Sequence, residues 1–322
     1  MKYSIGVDLG GMSMKIGVVD ENYNIIATAK HETNVEGGAE VIAADMVKTI
    51  QEAVQKSGLT MEQMEYCGIG SPGTVNKSTG YVEYSNNLRF YNAPFASYIE
   101  KAIGKKVYME NDANAAALGE ALAGAGNGSK NVICITLGTG VGSGIIIDGK
   151  IFSGTNFAGG ELGHTVIVYG GRGCTCGRKG CFEAYASATG LINMTKEAME
   201  KNKDSLMWKI CDGKKENANG KTAFDAMRAG DASGKAVVDE YLGYLGCGIT
   251  NVINAFQPEI LCIGGGISKE GDIILNPVKA YVERESFITE FTNPKPQIVI
   301  AKLGNDAGII GAAMLGHENN RA

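Results

Sequence analysis

Between Glu161 and Glu183 the chain reads E-L-G-H-T-V-I-V-Y-G-G-R-G-C-T-C-G-R-K-G-C-F-E. The span holds one of only three histidines and three of the eight cysteines, with a glutamate at each end. His164, Cys174, Cys176 and Cys181 have the number and softness of the ligands of a closed, structural zinc site. The glycines and basic residues between the cysteines suit a tight knuckle rather than a helix. Glu161 and Glu183 are surplus as ligands and are left for another task. Carboxylates accept hydrogen bonds from hydroxyls, which makes a sugar a fitting partner. A His164 bound to metal through one ring nitrogen has the other fixed as a donor toward a sugar oxygen.

Two further clusters fit a phosphorylated partner. Asp8-Leu9-Gly10-Gly11-Met12-Ser13-Met14-Lys15 is a glycine turn between strand-like runs. Glycines there let backbone N–H groups approach an anion. Asp8 can organise Mg²⁺ through water, and Ser13 or Lys15 can meet phosphate oxygens. The same stretch taken alone reads equally as a hairpin with a surface lysine. Gly138-Thr139-Gly140 forms a second such turn, and Gly265-Gly266 and Gly304-Asn305-Asp306 lie after strands and before helices. Such positions receive phosphates at helix N-termini, though each is also an ordinary turn.

Asn111-Asp112-Ala113-Asn114 follows an apolar strand and precedes an Ala-rich helix. Locally, Asp112 reads as a helix N-cap. The sharper reading makes it a general base at the end of a strand. It would take the proton from a hydroxyl attacking a γ-phosphoryl group, with Asn111 on the same substrate.

The elements that must position these residues alternate between strands and helices. Strands are predicted at 3–9, 16–20, 66–70, 107–110, 131–136, 259–263 and 297–301. Helices are predicted at 40–56, 94–103, 113–125, 186–200, 235–256, 273–285 and 307–315, and 202–221 reads as a polar surface excursion. The pattern is α/β. L-G-G-M-S-M-K-I-G-V-V-D (9–20) aligns without gaps to L-G-T-G-V-G-S-G-I-I-I-D (137–148). A repeat of strand, glycine turn and return strand predicts two lobes of similar topology.

Composition narrows the class. The chain has 322 residues, 44% hydrophobic and 20% charged, with a net charge of −5. That is the balance of a globular protein with room for two domains. The absence of a basic block speaks against nucleic acid as a partner, and no apolar run is long enough to span a membrane. A strand-like run at residue 3 leaves no room for a signal peptide, so the expected compartment is the reducing cytoplasm. Cys67, Cys134, Cys211, Cys247 and Cys262 are then expected as free thiols.

Taken together these motifs resemble the ROK family (repressors, open reading frames, sugar kinases). The residues that carry the resemblance are L-G-T-G-V-G-S-G-I (137–145), Gly154, G-E-L-G-H (160–164) and C-T-C-G-R-K-G-C-F-E (174–183). D-L-G-G, G-S-P-G (70–73), N-D-A-N (111–114) and G-G-G-I-S (264–268) follow the family's order. The resemblance implies a duplicated actin/hexokinase-type (ribonuclease H-like) fold, with two lobes closing on ATP and sugar. The lobes are expected at 1–118 plus about 304–322 and at 119–303. It implies ATP- and Mg²⁺-dependent phosphorylation of a hexose, usually at the 6-hydroxyl, and is strongest toward bacterial glucokinases. Asp112 matches the catalytic base. Asn111, Glu161, His164 and Glu183 match sugar-binding residues, with Gly73 beside them. His164, Cys174, Cys176 and Cys181 match the ligands of a structural Zn²⁺. A homodimer or homotetramer is implied. Other sugars (N-acetylmannosamine, fructose, allose), a non-catalytic sugar sensor and a repressor stay as alternatives. The repressor reading lacks the DNA-binding segment that such relatives carry ahead of the first strand. Met12, Asn76 and Phe157 depart from the usual pattern, at the phosphate turn, after the P-G-x-V element and near the sugar residues.

Overall fold

The computed structural model describes residues 1–287 and 293–319, with side chains to 317. The chain divides into two compact units. One comprises Met1–Cys134, Gly144–Gly160 and Ala301–Ala322, and the other Ile135–Ser143 and Glu161–Ile300.

The first unit opens with β1 (Tyr3–Leu9), β2 (Ser13–Asp20) and β3 (Ile25–Glu32), followed by α1 (Gly38–Lys56) and β4 (Met64–Ser71). Three short strands, β5 (Thr74–Asn76), β6 (Tyr81–Ser85) and β7 (Phe90–Ala93), form a sheet of their own before α2 (Phe95–Ile103). The segment closes with β8 (Val107–Asn111) and α3 (Asp112–Ala123). The main sheet has the order β3-β2-β1-β4-β8. β1 pairs antiparallel with β2 and parallel with β4, and β4 pairs parallel with β8.

The chain continues through β9 (Val132–Leu137), β10 (Val141–Ile147) and β11 (Lys150–Ile151). Then come α4 (Glu183–Ala186), α5 (Ala188–Lys201), α6 (Leu206–Ile210), α7 (Thr222–Arg228) and α8 (Ala232–Phe256). β12 (Ile260–Gly264), α9 (Asp272–Glu285), β13 (Gln297–Ile300) and α10 (Ala307–Asn319) complete it. The second sheet has the order β11-β10-β9-β12-β13. Counted from the strand before each glycine turn, both sheets read third, second, first, fourth, fifth. The sequence repeat is therefore a repeat of topology.

Local chemistry sets the helix limits. Asp231 caps α8 by accepting from the Gly234 N–H, and the helix ends at Gln257 in left-handed backbone just before Pro258. Ser187 caps α5 in the same way through Gly190. In the first unit Ile5, Val7, Leu9, Ile16, Val18, Ile42, Met46 and Ile50 are fully buried, so the strands have apolar cover from α1. On the other face α10 lies on the backbone of the sheet. A Cβ on Gly6 would sit 2.0 Å from the Ile309 carbonyl oxygen, and one on Gly68 would sit 1.8 Å from that of Ala312. Glycine at the centre of these strands is what lets a helix come so near.

Two expectations need correction, and some strands are new. The stretch 202–221 is not a bare excursion, because it contains α6 and buries Met207 and Cys211. Apolar residues spread thinly through a polar run hide a short helix from periodicity. β3 and the small sheet of β5 to β7 were not foreseen, since half-exposed strands with tyrosine, asparagine and glutamate lack a clean alternation. Cys134 and Cys262 are disulfide-bonded rather than free. They lie on strands that neighbour in the sheet order, which linear sequence does not reveal. Among the described residues no helix is long and apolar enough to cross a membrane.

Candidate active site and metal centre

In the first unit the turn between β1 and β2 is closed by the Gly10 N–H donating to the Ser13 carbonyl at 3.0 Å. Thr33, just after β3, holds it from the side. Its hydroxyl donates to the Gly10 carbonyl at 2.7 Å and its N–H to that of Met12 at 3.0 Å. Gly10, Gly11, Met12 and Ser13 line an open cavity of about 460 Å³ together with Asn87. Met12 is 88% exposed and brings no hydroxyl to the turn. Asp8 and Lys15 are cross-strand partners. Burial pushes the Asp8 carboxyl above its ordinary value, and Lys15 pulls it partly back. Asp8 also lies against the first turn of α10, where a Cβ on Gly308 would be 2.8 Å from the Asp8 carboxyl carbon.

The Asn111-Asp112 turn is organised differently from the local reading of Asp112 as N-cap. Asn111 is the cap. Its Oδ1 accepts from the N–H groups of Ala113 and Asn114 at 2.9 and 3.2 Å, and its Nδ2 donates to the Gly73 carbonyl at 3.2 Å. Both residues can reach the first free amides of α3, and the extended backbone of Asn111 (ψ 145) decides between them. Asp112 becomes the first helical residue, half-buried, with Oδ1 accepting from the Ala113 N–H at 2.9 Å. A carboxylate at this position is favoured by the helix dipole. Gly73, Asn111 and Asp112 are thus brought together at the carboxyl end of β8.

In the second unit the Gly138–Gly140 turn is clasped by the start of α5. The Ala188 N–H donates to the Gly138 carbonyl at 2.8 Å and the Thr189 hydroxyl to that of Thr139 at 2.7 Å. Thr139 is exposed. Gly265 follows β12 and packs on the backbone of Leu137, while Gly266 leads into a short 3₁₀ turn ahead of α9. Glu183 reaches this turn. Its Oε2 accepts from the Val141 N–H at 3.0 Å, and a Cβ on Gly140 would lie 2.1 Å from the same oxygen. Its Oε1 accepts from Thr175 Oγ1 at 3.3 Å and Cys174 Sγ at 3.5 Å. Glu183 therefore joins the glycine turn to the cysteine knuckle.

The knuckle is a small irregular hairpin, with bridges pairing Val166 with Cys181 and Gly173 with Lys179. The ligand atoms of His164, Cys174, Cys176 and Cys181 all lie within 4.8 Å of one another. Cys176 Sγ is 3.7 Å from Cys181 Sγ, and Cys174 Sγ is 3.7 Å from His164 Nδ1. Tetrahedral bonds of about 2.3 Å to sulfur and about 2.0 Å to nitrogen require edges of about 3.8 and about 3.5 Å. The donor set and spacing fit Zn²⁺. Burial pushes the Cys181 thiol up to about 12, while the Arg178 backbone amide draws the Cys176 thiol below its ordinary value. Arg172 fastens the knuckle to α5 through two 2.7 Å bonds to Glu197, and its own N–H donates to Tyr185 Oη at 2.7 Å. Glu161 is exposed, at the start of the turn that carries His164. The His164 N–H donates to its carbonyl at 3.0 Å, and Ser143 Oγ accepts from the next residue's N–H at 3.0 Å. Phe157, four residues earlier, has left-handed backbone at φ 61.

Sequence reasoning missed the carboxylates behind these residues. Glu110, 2% exposed, accepts from the Asn111 N–H at 2.9 Å and from Asn114 Nδ2 at 3.1 Å. Glu120, 3% exposed, accepts from the N–H groups of Ala125, Lys302 and Leu303. A charged residue inside an apolar strand or Ala-rich helix was the available signal.

Comparison with known proteins places these features in context. The model of the ROK family matches residues 4–319. A glucokinase of Thermotoga maritima is 38% identical over 315 residues, 97% of this chain and 96% of that one. A xylose repressor of Caldicellulosiruptor bescii is 30% identical over 95% of this chain, which spans 76% of the repressor. Among solved structures, a ROK family glucokinase from Streptomyces griseus in complex with glucose and AMPPNP superposes with a TM-score of 0.79 at 36% identity. The match covers 97% of this chain and 98% of that one.

Proposed function

The chain belongs to the ROK family, and from that premise we propose that it is a cytoplasmic ATP-dependent glucokinase of actin/hexokinase-type fold, forming glucose 6-phosphate with Asp112 as general base. The observation that carries the role of Asp112 is the division of labour at the end of β8. Asn111 caps α3 and ties itself to Gly73, and the Asp112 carboxylate stands beside it at the head of the helix, with Oδ1 accepting from the Ala113 N–H.

The reaction forms a bond from the sugar 6-oxygen to the γ-phosphorus and breaks that phosphorus's bond to the β–γ bridging oxygen. Asp112 accepts the hydroxyl proton as the new bond forms, a role worth about 10²–10⁴-fold in rate. Asn111, Gly73, Glu161, His164 and Glu183 are the side chains and backbone assigned to orienting the sugar. The turns at Gly10–Ser13 and Gly138–Gly140, with Gly265 and Gly266, receive the nucleotide through backbone N–H groups, and Lys15 supplies positive charge. Asp8 would hold Mg²⁺ through water when the metal enters with ATP, and the metal would supply positive charge against the phosphates. Zn²⁺ would be held by His164, Cys174, Cys176 and Cys181, where it fixes the knuckle and with it Glu183. With four protein ligands, that position holds no substrate.

ADP release measured across glucose, fructose, allose, mannose, N-acetylglucosamine and N-acetylmannosamine tests the assignment. Glucose is expected to give the highest kcat/KM. A preference for an N-acetylhexosamine would keep the kinase and replace the sugar, and sugar binding without ADP release would replace the kinase with a sensor.

A further inference from the structure

The strand residue behind the proposed base is a carboxylate. Glu110 lies in β8, opposite Gly70 of the parallel neighbour β4, and is 2% exposed. A carboxylate is seldom buried to this extent without dedicated partners. Two of its partners are the residues that frame Asp112. Glu110 Oε1 accepts from the backbone N–H of Asn111 at 2.9 Å and from the side-chain amide of Asn114 at 3.1 Å. Asn111 precedes Asp112, and Asn114 is buried in the first turn of α3. A single oxygen thus clamps the turn from below.

Glu110 Oε2 faces Lys77, whose Nζ lies 3.8 Å away. Lys77 is itself set by a fastened turn between β5 and β6. Asn76 Oδ1 accepts from the N–H groups of Ser78 and Thr79 at 3.1 and 3.2 Å, and the Asn76 carbonyl accepts from Gly80 at 2.8 Å. Asn76 Nδ2 donates to Glu83 at 2.9 Å across the small sheet. The same sheet begins directly after Gly73, whose carbonyl accepts from Asn111. Two lines therefore converge on the turn, one through Gly73 to Asn111 and one through Lys77 and Glu110 to Asn111 and Asn114.

We propose that Glu110, seated by Lys77, is a positioning residue for the phosphoryl transfer: it holds Asn111 and the first turn of α3 so that the Asp112 carboxylate keeps its productive orientation. The inference rests on the reading of Asp112 as the base. The physical ground is that a carboxylate hydrogen-bonded to two groups on either side of a third restricts that third more than packing alone. A displacement of about 1 Å at a reacting group is enough to cost on the order of 10²-fold.

The test compares wild type, Glu110→Ala, Glu110→Gln, Lys77→Met and the double variant Lys77→Met/Glu110→Gln, each corrected for folded enzyme. In Glu110→Ala, kcat should fall about 10- to 100-fold while KM for ATP stays within about twofold. Amide exchange should lose protection at residues 111–114 and keep it along α1 and β1. Glu110→Gln keeps an acceptor for the Asn111 N–H and should recover most of the lost kcat. Lys77→Met should lose kcat in the same direction, and the double variant should be no worse than the poorer single variant, as coupled residues behave. Unchanged kcat in Glu110→Ala, with only a lower thermal midpoint, would reduce Glu110 to a structural carboxylate and overturn the proposal. Losses that multiply in the double variant would remove Lys77 from it. A wild type without kinase activity on any hexose would instead sink the reading of Asp112, and the exchange arm would still decide whether Glu110 holds the turn.

Discussion

Gly140→Ala provides a sharp test of how the second unit is wired. Gly140 sits in a glycine turn of the kind that receives phosphate, so its replacement would ordinarily be expected to weaken ATP binding. The structure predicts a different first casualty. A Cβ at this position would lie 2.1 Å from Glu183 Oε2, well inside van der Waals contact. The terminal carboxylate is the part that can yield, and in yielding it gives up its 3.0 Å bond from the Val141 N–H. A hydrogen bond to a charged group is worth about 1.5–3 kcal/mol. At about 1.4 kcal/mol per tenfold, its loss corresponds to about 10- to 150-fold in any property that needs Glu183 in place. Calorimetric titration with glucose in the absence of nucleotide should therefore show a dissociation constant raised within that range. The far-UV spectrum should be unchanged, because Glu183 lies at the start of a four-residue helix whose neighbours Phe182 and Tyr185 stay buried. Unchanged glucose affinity, with the whole effect on KM for ATP, would refute the link between the turn and the proposed sugar-binding role of Glu183.

Three further outcomes follow from other parts of the structure. Burial raises the Asp8 carboxyl above its unfolded value, so the folded state holds that proton more tightly and the contribution of Asp8 to stability is lost as pH rises through its folded titration. Asp8→Asn should accordingly raise the thermal midpoint at neutral pH, with the gain shrinking as the pH falls through the carboxylate range, and should lower Mg²⁺-dependent turnover. Zinc removal or Cys176→Ser should reduce thermal stability and glucose affinity together, since Glu183 contacts Cys174 and Thr175 of the knuckle. Glucose affinity that survives zinc loss unchanged would separate the metal from the sugar. Glu120→Ala should cost about 3 kcal/mol or more in a denaturant titration, counting roughly 1 kcal/mol for each of three backbone amides left without this acceptor.

Much of this architecture is legible in the sequence because strong local signals and strong chemistry coincide. Leu9–Asp20 and Leu137–Asp148 repeat as strand, glycine turn and strand, and both sheets adopt the same order of strands. The four zinc-type ligands are written into a short segment, so their meeting required little long-range folding. What stayed hidden depends on contacts between distant segments. Glu110 and Glu120 look like solvated charges until the structure shows them 2% and 3% exposed. The choice of Asn111 over Asp112 as the cap turned on a backbone angle that adjacent, equally suitable side chains could not disclose. Cys134 and Cys262 lie on neighbouring strands of the sheet yet are far apart in the chain. The polar strands β5 to β7 escaped notice because their exposed face carries Tyr84 and Tyr91 rather than a regular polar alternation, yet the turn between β5 and β6 carries Lys77 and the sheet begins directly after Gly73.

The central claim is that Asp112 removes the proton from the sugar hydroxyl during phosphoryl transfer from ATP. Asp112→Asn keeps the size of the side chain and an oxygen able to accept from the Ala113 N–H, but removes the basic charge. Glucose affinity by calorimetry and turnover by coupled ADP release should be measured on the same preparation. Glucose binding should stay close to wild type while kcat falls about 10²–10⁴-fold. Turnover near that of wild type in this variant would contradict that claim.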